Sequence, residues 1–179
     1  MQALENKKSE PSTENKLTAA ESDIVRLIME DHKPLKKLIR TLKDSEAAIE
    51  ERMEAYAEFA PLLVNHAKSE EQSLYVAMKK VDDLRCEALE GDVEHGLADQ
   101  LVEEIRRTED EDLWSAKVKV LAELVEHHIQ EEEDELLPDY RQNSDPAERM
   151  KVGQEFLRLK TLLMEQGNED SPSESSLQH

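Results

Sequence analysis

The sequence contains few of the residues that make tight turns or crosslink a chain. It has one cysteine, four glycines and six prolines, and aromatic residues make up only 3% of its 179 residues. The single cysteine, Cys86, cannot form an intramolecular disulfide or a thiolate zinc site by itself. There is too little glycine and proline for the many turns of a β-sandwich or barrel. Too few aromatic side chains are present for a surface that stacks single-stranded nucleic acid. These absences favour an all-α domain.

Long apolar runs and positive charge are lacking as well. No run of 18 apolar residues could form a transmembrane helix, and the opening MQALENKKSEPSTENK has no apolar stretch typical of a signal peptide. The 43 acidic residues outnumber the 23 basic ones, for a formal charge of -20. Such a surface repels phosphate backbones and anionic lipid headgroups. We therefore expect a cytoplasmic protein that binds neither nucleic acid nor membranes.

Helical periodicity recurs between two polar tails. Residues 1–17 and 167–179 are too polar to offset the entropy of ordering them, so we predict disorder there and one domain over 18–166. Within it the pattern predicts five helices. The first begins at Thr18 and has an apolar face that runs through Leu42, and the others lie at about Glu50–Lys80, Leu84–Arg107, Asp110–Leu137 and Asp145–Gly167. Helix 1 begins with a T-x-x-E capping box at Thr18–Glu21, helix 4 ends before Pro138, and Gly167 is the C-cap of helix 5.

Short connections between the first four helices predict antiparallel neighbours and an up-down-up-down four-helix bundle. The additional C-terminal helix would pack alongside the bundle or make a contact between subunits. In helix 4 the apolar stripe follows Leu113, Val120, Leu121, Leu124, Val125 and Leu136.

Six polar residues interrupt the apolar stripes at positions that face inward. Each bundle helix has one inward histidine, and helices 2 and 4 add a glutamate one turn later in an H-x-x-x-E pair. These residues are His32, His66, Glu70, His95, His128 and Glu132. Their depths along the helices predict that all six meet in one layer. A single inward histidine is most often a hydrogen-bonded core residue, but a buried carboxylate without a partner costs several kcal/mol. Two metal ions that take all six as ligands remove that cost.

The ligand types narrow the choice of metal. Four imidazoles and two carboxylates suit iron or another mid-series transition metal better than calcium or magnesium. They exceed the needs of one tetrahedral zinc ion and fit two metals bridged by the carboxylates. Ferritin-like di-iron sites need Glu-x-x-His on two helices. The residues three positions before the histidines include no glutamate, which excludes that class; they are Met29, Leu63, Asp92, Leu124 and Val125.

The order of the motifs is specific. Asp31-His32 comes first, then HAKSEEQSLY over 66–75, then Glu94-His95, and then HIQEEEDELLP over 128–138. This order, over about residues 24–140, resembles the hemerythrin-like, or HHE cation-binding, family. The resemblance implies a four-helix bundle with a non-haem di-iron centre whose ions are oxo- or hydroxo-bridged. It also implies that His32 and His66 hold one iron, that His95 and His128 hold the other, and that Glu70 and Glu132 bridge them.

The sequence departs from the oxygen-carrying members in two ways. Those carriers have two histidines one turn apart on the third helix, whereas Gly91 and Asp99 lie one turn either side of His95. The carriers also have an aspartate five residues after the histidine of the fourth helix, whereas Glu132 follows His128 by four. The chain therefore resembles the bacterial branch that does not carry oxygen.

One ambiguity remains within helix 4. His127 and Glu131 also satisfy the H-x-x-x-E spacing, so they form an alternative ligand pair. The apolar register of the helix favours His128 and Glu132. Glu131 and Glu133 are then expected to face solvent.

The resemblance implies a protein that binds or senses O₂, NO or peroxide. An alternative is an enzyme or iron-handling protein that breaks down peroxide, oxidises Fe(II) or repairs iron–sulfur centres. Both use the same ligands, and a metal-free acidic adaptor is a third possibility. The expected state is a monomer or a homodimer. We interpret Cys86, Tyr75 and Trp114 as packing residues.

Overall fold

The computed structural model describes residues 22–169, and all of its regular secondary structure in that range is helical. The α-helices are α1 Ile24–Lys43, α2 Ile49–Glu71, α3 Leu74–Met78, α4 Arg85–Arg106, α5 Glu111–Glu131, α6 Leu137–Asn143 and α7 Pro146–Glu169. A 3₁₀ turn at Asp82–Leu84 precedes α4, and a π-helical turn at Glu132–Leu136 joins α5 to α6. Over residues 22–169, no helix combines the length and apolar character that crossing a membrane requires.

Helices α1, α2, α4 and α5 form the bundle. Helix α1 packs on α2 and α5, and α4 packs on α5 and α2. Two ion pairs show that α1 and α5 are antiparallel. Lys36 of α1 contacts Glu133, which follows α5, and Lys43, further along α1, contacts Glu126, which lies earlier in α5. Of the three other α-helices, the long C-terminal helix α7 lies over α1 and α2. The predicted four-helix bundle with an additional C-terminal helix is confirmed, and that helix packs alongside the bundle.

The helix starts follow from local caps. Helix α1 begins at Ile24, where the Asp23 carboxylate accepts a hydrogen bond from the Val25 N–H at 3.0 Å. Its predicted start at Thr18 was wrong, and the T-x-x-E box itself lies outside the described residues. Asp145 caps α7 as predicted, since its Oδ1 accepts from the Glu148 N–H at 2.9 Å. The predicted tails lie almost wholly outside the described range.

Two predicted helix ends and one predicted cap were wrong. Helix α2 stops at Glu71, and the chain turns before α3 begins at Leu74. The fourth predicted helix begins as α5 of the structure. It does not end before Pro138, because the chain stays helical through the π-helical turn and α6 to Asn143. A proline ring crowds the carbonyl four residues earlier, and the π-helical turn directly before Pro138 widens the backbone there. Helix α7 continues past Gly167, so that glycine is not its cap.

Two apolar clusters fill the interior at different levels. The large core lies towards the loop between α1 and α2 and contains Leu35, Leu38, Ile39, Leu42, Ala55, Tyr56, Phe59, Ala60, Leu63, Ala98, Val102, Ile105, Trp114, Val118, Leu121, Ala122, Val125 and Ile129. The small core contains Ile24, Val25, Ile28, Leu74, Tyr75, Ala77, Met78, Leu84, Ala88, Leu136, Leu137, Tyr140 and Phe156. On α1, the small core ends at Ile28 and the large core begins at Leu35, which leaves a gap around His32.

The inward stripe of α5 differs from its prediction at two positions. Leu113 and Val120 were expected to face the core, but they are 49% and 53% exposed. Trp114 and Val118 face the core in their place. The other residues of the predicted stripe are at least partly buried. The buried face of α5 was therefore predicted correctly except at these two positions.

Candidate metal centre

The six inward residues meet in one layer between the two cores. All are buried, with His32 and Glu70 fully inaccessible to solvent. Their ligand atoms form two groups: His32, His66 and Glu132 in one, and Glu70, His95 and His128 in the other. Within each group the atoms lie no more than 4.8 Å apart. We call these six residues the polar layer, His32 and His66 its first half, and His95 and His128 its second half.

The two glutamates lie between the halves. Glu132 places Oε2 3.2 Å from His32 Nε2 and Oε1 3.5 Å from His128 Nε2. Glu70 places Oε2 3.4 Å from His66 Nε2 and 3.8 Å from His95 Nε2. Each carboxylate therefore contacts one histidine of each half. This is the placement that a carboxylate bridging two metal ions requires.

Helix geometry explains how the chain delivers these side chains. The i, i+4 spacing of His66 and Glu70 on α2 stacks them on one face, and His128 and Glu132 repeat the arrangement on the fourth bundle helix. Glu70 lies next to the last residue of α2, and Glu132 is the first residue of the π-helical turn. Both glutamates thus lie where a regular helix ends or widens. Single π-helical turns inside α-helices are frequent at functional sites.

A second set of carboxylates surrounds the histidines. Each histidine directs Nδ1 at an acidic side chain of a neighbouring helix or of the π-helical turn, and we call these four acids the ring carboxylates. The pairs are His32 with Glu133 at 3.0 Å, His66 with Asp31 at 3.4 Å, His95 with Glu71 at 3.3 Å and His128 with Glu94 at 2.5 Å. The pairs of His32 and His128 are hydrogen bonds, whereas Nδ1 of His66 and Nδ1 of His95 lie near their carboxylates without one. A carboxylate that accepts from Nδ1–H fixes the tautomer and leaves the Nε2 lone pair free for a metal.

The ring carboxylates were missed as functional residues. Glu133 was expected to be solvated, and this was wrong, because its side chain is only 19% exposed and contacts both His32 and Lys36. A signal was present, since each ring carboxylate is the immediate neighbour in sequence of a polar-layer residue. Asp31 precedes His32, Glu71 follows Glu70, Glu94 precedes His95 and Glu133 follows Glu132.

Charge in the polar layer is divided unequally between the glutamates. Burial and the nearby Glu132 carboxylate raise the pKa of Glu70 well above its usual value. Burial also acts to raise the pKa of Glu132, but His128 and His32 outweigh it, and that pKa lies below its usual value. Without metal, therefore, the surroundings favour the neutral form of Glu70 and the anionic form of Glu132.

The histidines also differ. Burial lowers the pKa of His66 to about 4, in spite of its contact with Asp31. Burial acts in the same direction on His128, but Glu132 and Glu94 outweigh it and raise the pKa of His128. The surroundings of His128 therefore favour positive charge more than those of His66 do.

Tyr75 is a further residue of the site that sequence reasoning assigned only to packing. Its hydroxyl donates to Glu132 Oε1 at 2.8 Å and lies 3.4 Å from His128 Nε2. Its ring stacks on His95, with centroids 5.4 Å apart. Gly91 makes room for it, because a Cβ at that position would lie 2.5 Å from the tyrosine oxygen. The signal in the sequence was the glycine one turn before His95.

The alternative H-x-x-x-E pair, His127 and Glu131 of α5, lies outside the polar layer. The side chains of His127 and Glu131 are 65% and 48% exposed, and they contact each other at 3.3 Å. The structure thus buries His128 and Glu132 and leaves His127 and Glu131 at the surface, and the choice of His128 and Glu132 as ligands stays a prediction. Cys86 is exposed and forms no disulfide within residues 22–169.

The donor atoms of the polar layer fit a transition metal. Among the described residues, the buried side-chain atoms without a hydrogen-bond partner include His32 Nε2, His66 Nε2, both oxygens of Glu70 and Glu132 Oε2. Burying these five nitrogen and oxygen atoms without a hydrogen-bond partner carries a large desolvation cost, and coordination of a metal removes that cost. Imidazole nitrogen with carboxylate oxygen is a donor set that iron accepts.

A narrow cleft of about 90 Å³ connects the polar layer to the surface. It reaches His128 and Glu132 between α4 and the π-helical turn, and acidic side chains line most of it. The lining residues are Glu87, Glu90, Gly91, Glu94, His128, Glu131, Glu132, Glu135 and Leu136. A small molecule can approach the second half of the layer by this route.

Comparison with known families agrees with the geometry. The model of the hemerythrin HHE cation-binding domain matches residues 23–140, more than half of the chain and the part that contains the whole polar layer. No curated protein and no solved structure gave a match to the chain. The family that the motifs resemble is thus confirmed, whereas the bacterial, non-carrier branch stays a prediction. The chain belongs to the hemerythrin HHE cation-binding family.

Proposed function

We propose that the polar layer binds two iron ions, one in each half, with Glu70 and Glu132 bridging them, and that this centre binds or senses a small oxidant. The observation that carries the proposal is the set of unpaired, fully buried nitrogen and oxygen donors between two apolar cores. The contact of each glutamate with both halves supports the bridging role. An iron pair held there would supply electrons to O₂ or peroxide and a coordination position for NO.

The chain's own residues prepare this chemistry. The ring carboxylates hold the imidazoles with Nε2 directed inward, and the two apolar cores exclude water from the layer above and below. Tyr75 keeps a proton on its hydroxyl, since burial and then Glu132 and Glu70 raise its pKa well above the usual value. That hydroxyl lies beside His128, the histidine that lines the cleft. It can therefore donate to a small ligand that enters there if its one proton turns away from Glu132.

Metal content provides the first test. The double variant His66→Ala with Glu70→Ala removes a buried H-x-x-x-E pair and should lose most of the iron after anaerobic loading with Fe(II). The matched control is His127→Ala with Glu131→Ala, which removes an exposed pair of the same spacing and should keep the iron of the unmodified chain. Equal iron in the two variants, both folded by circular dichroism, would contradict the assignment.

Titration with an oxidant separates binding from catalysis. The iron-loaded chain, made without oxygen, should develop the near-ultraviolet absorption of ferric iron as O₂ or peroxide is added. NO should instead change the absorption of the ferrous centre by binding to it. A sensor or binder stops changing once the oxidant matches the iron pairs, and that is the expected result. Continued consumption of peroxide, or continued oxidation of added Fe(II), would instead identify an enzyme.

A further inference from the structure

The ring carboxylates of the first half are each neutralised by a lysine. Glu133, which contacts His32, accepts from Lys36 Nζ at 2.7 Å. Asp31, which contacts His66, accepts from Lys160 Nζ of α7 at 2.6 Å. In both cases an ammonium group of charge +1 lies against the carboxylate that the histidine uses. The two ring carboxylates and their two lysines therefore add no net charge around the first half.

The second half is less neutralised. Glu71, which contacts His95, pairs with Lys68 at 3.1 Å, but Lys68 also pairs with Asp99 at 2.6 Å and is shared between two acids. Glu94, which contacts His128, has no lysine or arginine within ion-pairing distance anywhere in residues 22–169. Glu94 also lines the acidic cleft, together with four more glutamates that lie outside the polar layer. The second half is thus surrounded by an excess of negative charge.

This difference changes how each half attracts a cation. Water screens a charge weakly when the charge is partly buried, so a carboxylate without a lysine raises the attraction for a divalent ion. An anionic acceptor on Nδ1 also makes an imidazole a better electron donor through Nε2. The second effect acts in both halves, but a lysine against the carboxylate weakens it in the first half. Both differences between the halves therefore depend most on Glu94, which has no such lysine.

We propose that the second half binds the first divalent metal ion more tightly than the first half does, and that Glu94 is the positioning residue that creates this difference. The inference rests on the proposed function, because it takes the polar layer to be a two-metal site. Glu94 acts through His128 by holding its ring and by leaving its own charge uncancelled. Glu133 has the same relation to His32, but Lys36 cancels its charge.

Cobalt(II) alone is the probe, since its visible spectrum reports binding without any redox step. The unmodified chain is titrated against a competing chelator, and the two stepwise affinities are fitted. Glu94→Gln keeps the size and the acceptor oxygen of the side chain but removes the charge, and it should weaken the tighter step about 10- to 100-fold. Glu90→Gln is the matched control, because it removes the same charge one turn earlier on α4 and from the same cleft without a contact to a histidine. It should weaken binding much less.

A gain of affinity provides the opposite test. Lys36→Gln exposes the charge of Glu133 to His32 and should tighten the weaker step, a result that a general loss of structure cannot produce. The two halves can also be measured separately, in His95→Ala with His128→Ala and in His32→Ala with His66→Ala. The second of these keeps the second half and should bind cobalt more tightly.

The outcomes separate this inference from the proposed function. Two steps of equal affinity, with Glu94→Gln no weaker than Glu90→Gln, would overturn the inference and leave the two-metal site intact. Absence of cobalt binding in the unmodified chain would overturn both. If a double-alanine variant does not fold, the stepwise affinities of the Glu94 and Lys36 variants still decide the question.

Discussion

The large core and the polar layer lie at adjacent levels of the same four helices, and the residues of both are buried. In the large core, Phe59 and Leu121 are fully buried among apolar neighbours, and such burial stabilises the fold. In the polar layer, His32 and Glu70 are equally buried, yet several of their polar atoms have no hydrogen-bond partner. A layer of that kind lowers the stability of the metal-free protein. The residues of the large core therefore hold the bundle together, whereas those of the polar layer are suited to bind a metal.

The largest effect should come from the large core. Phe59→Ala removes a fully buried ring and leaves a cavity, so the free energy of unfolding should fall by about 3–5 kcal/mol in denaturant titrations. The loss should be the same with and without bound metal, because Phe59 is not a polar-layer residue. A folded Phe59→Ala protein that has lost its metal would contradict the separation of the two levels.

Substitution in the polar layer should give the reverse pattern. Burial and the Glu132 carboxylate raise the pKa of Glu70 and so favour its neutral form in the metal-free protein. Glu70→Gln matches that form in charge and shape, so the free energy of unfolding without metal should change by less than about 1 kcal/mol. A neutral amide cannot replace a bridging carboxylate, so the affinity for metal should fall about a hundredfold, which equals about 2.7 kcal/mol. Calorimetry on both forms measures the two effects. A large loss of stability without metal would show that Glu70 has a structural role.

The contrast between apolar and polar buried residues also explains which parts of the molecule could be predicted from the sequence. The bundle and the six polar-layer residues follow from periodicity, because a histidine or glutamate on an apolar stripe stands out from its neighbours. The ring carboxylates do not stand out, because Glu71 and Glu133 lie beside the stripe, where charged residues are ordinary. Only the packing of one helix against the next brings Glu133 to His32, across about a hundred residues of sequence.

Tyr75 shows a second limit of sequence reasoning. A tyrosine in an apolar stretch is usually a packing residue, and Tyr75 is indeed part of the small core. Its hydroxyl reaches Glu132 because α2 ends at Glu71 and the chain turns before α3. The apolar periodicity continues across that turn and predicted one continuous helix. The sequence therefore could not show that the Tyr75 side chain points at Glu132.

Gly91 tests the boundary between the polar layer and the small core. In Gly91→Ala the new Cβ would lie 2.5 Å from the Tyr75 oxygen, so the ring must move and its bond to Glu132 must lengthen or break. Overpacking should lower the free energy of unfolding by about 1–2 kcal/mol, although alanine favours the helix. The control is Gly96→Ala on the same helix, where a Cβ meets nothing within 4 Å. It should raise stability by about 0.5–1 kcal/mol. A gain in both variants would show that Tyr75 is not held in place.

The smallest effect concerns the edge of the large core, where the predicted stripe was wrong by one position. Val118 is fully buried and Val120 is 53% exposed, although they lie two residues apart on α5. Val118→Thr places a hydroxyl among apolar side chains and should lower the free energy of unfolding by about 1 kcal/mol or more. Val120→Thr keeps the hydroxyl in water, and the change should stay below about 0.5 kcal/mol. Equal effects in denaturant titrations would mean that α5 is rotated about its axis. The same rotation would carry His128 away from the polar layer, so this small difference also tests the register on which the metal centre depends.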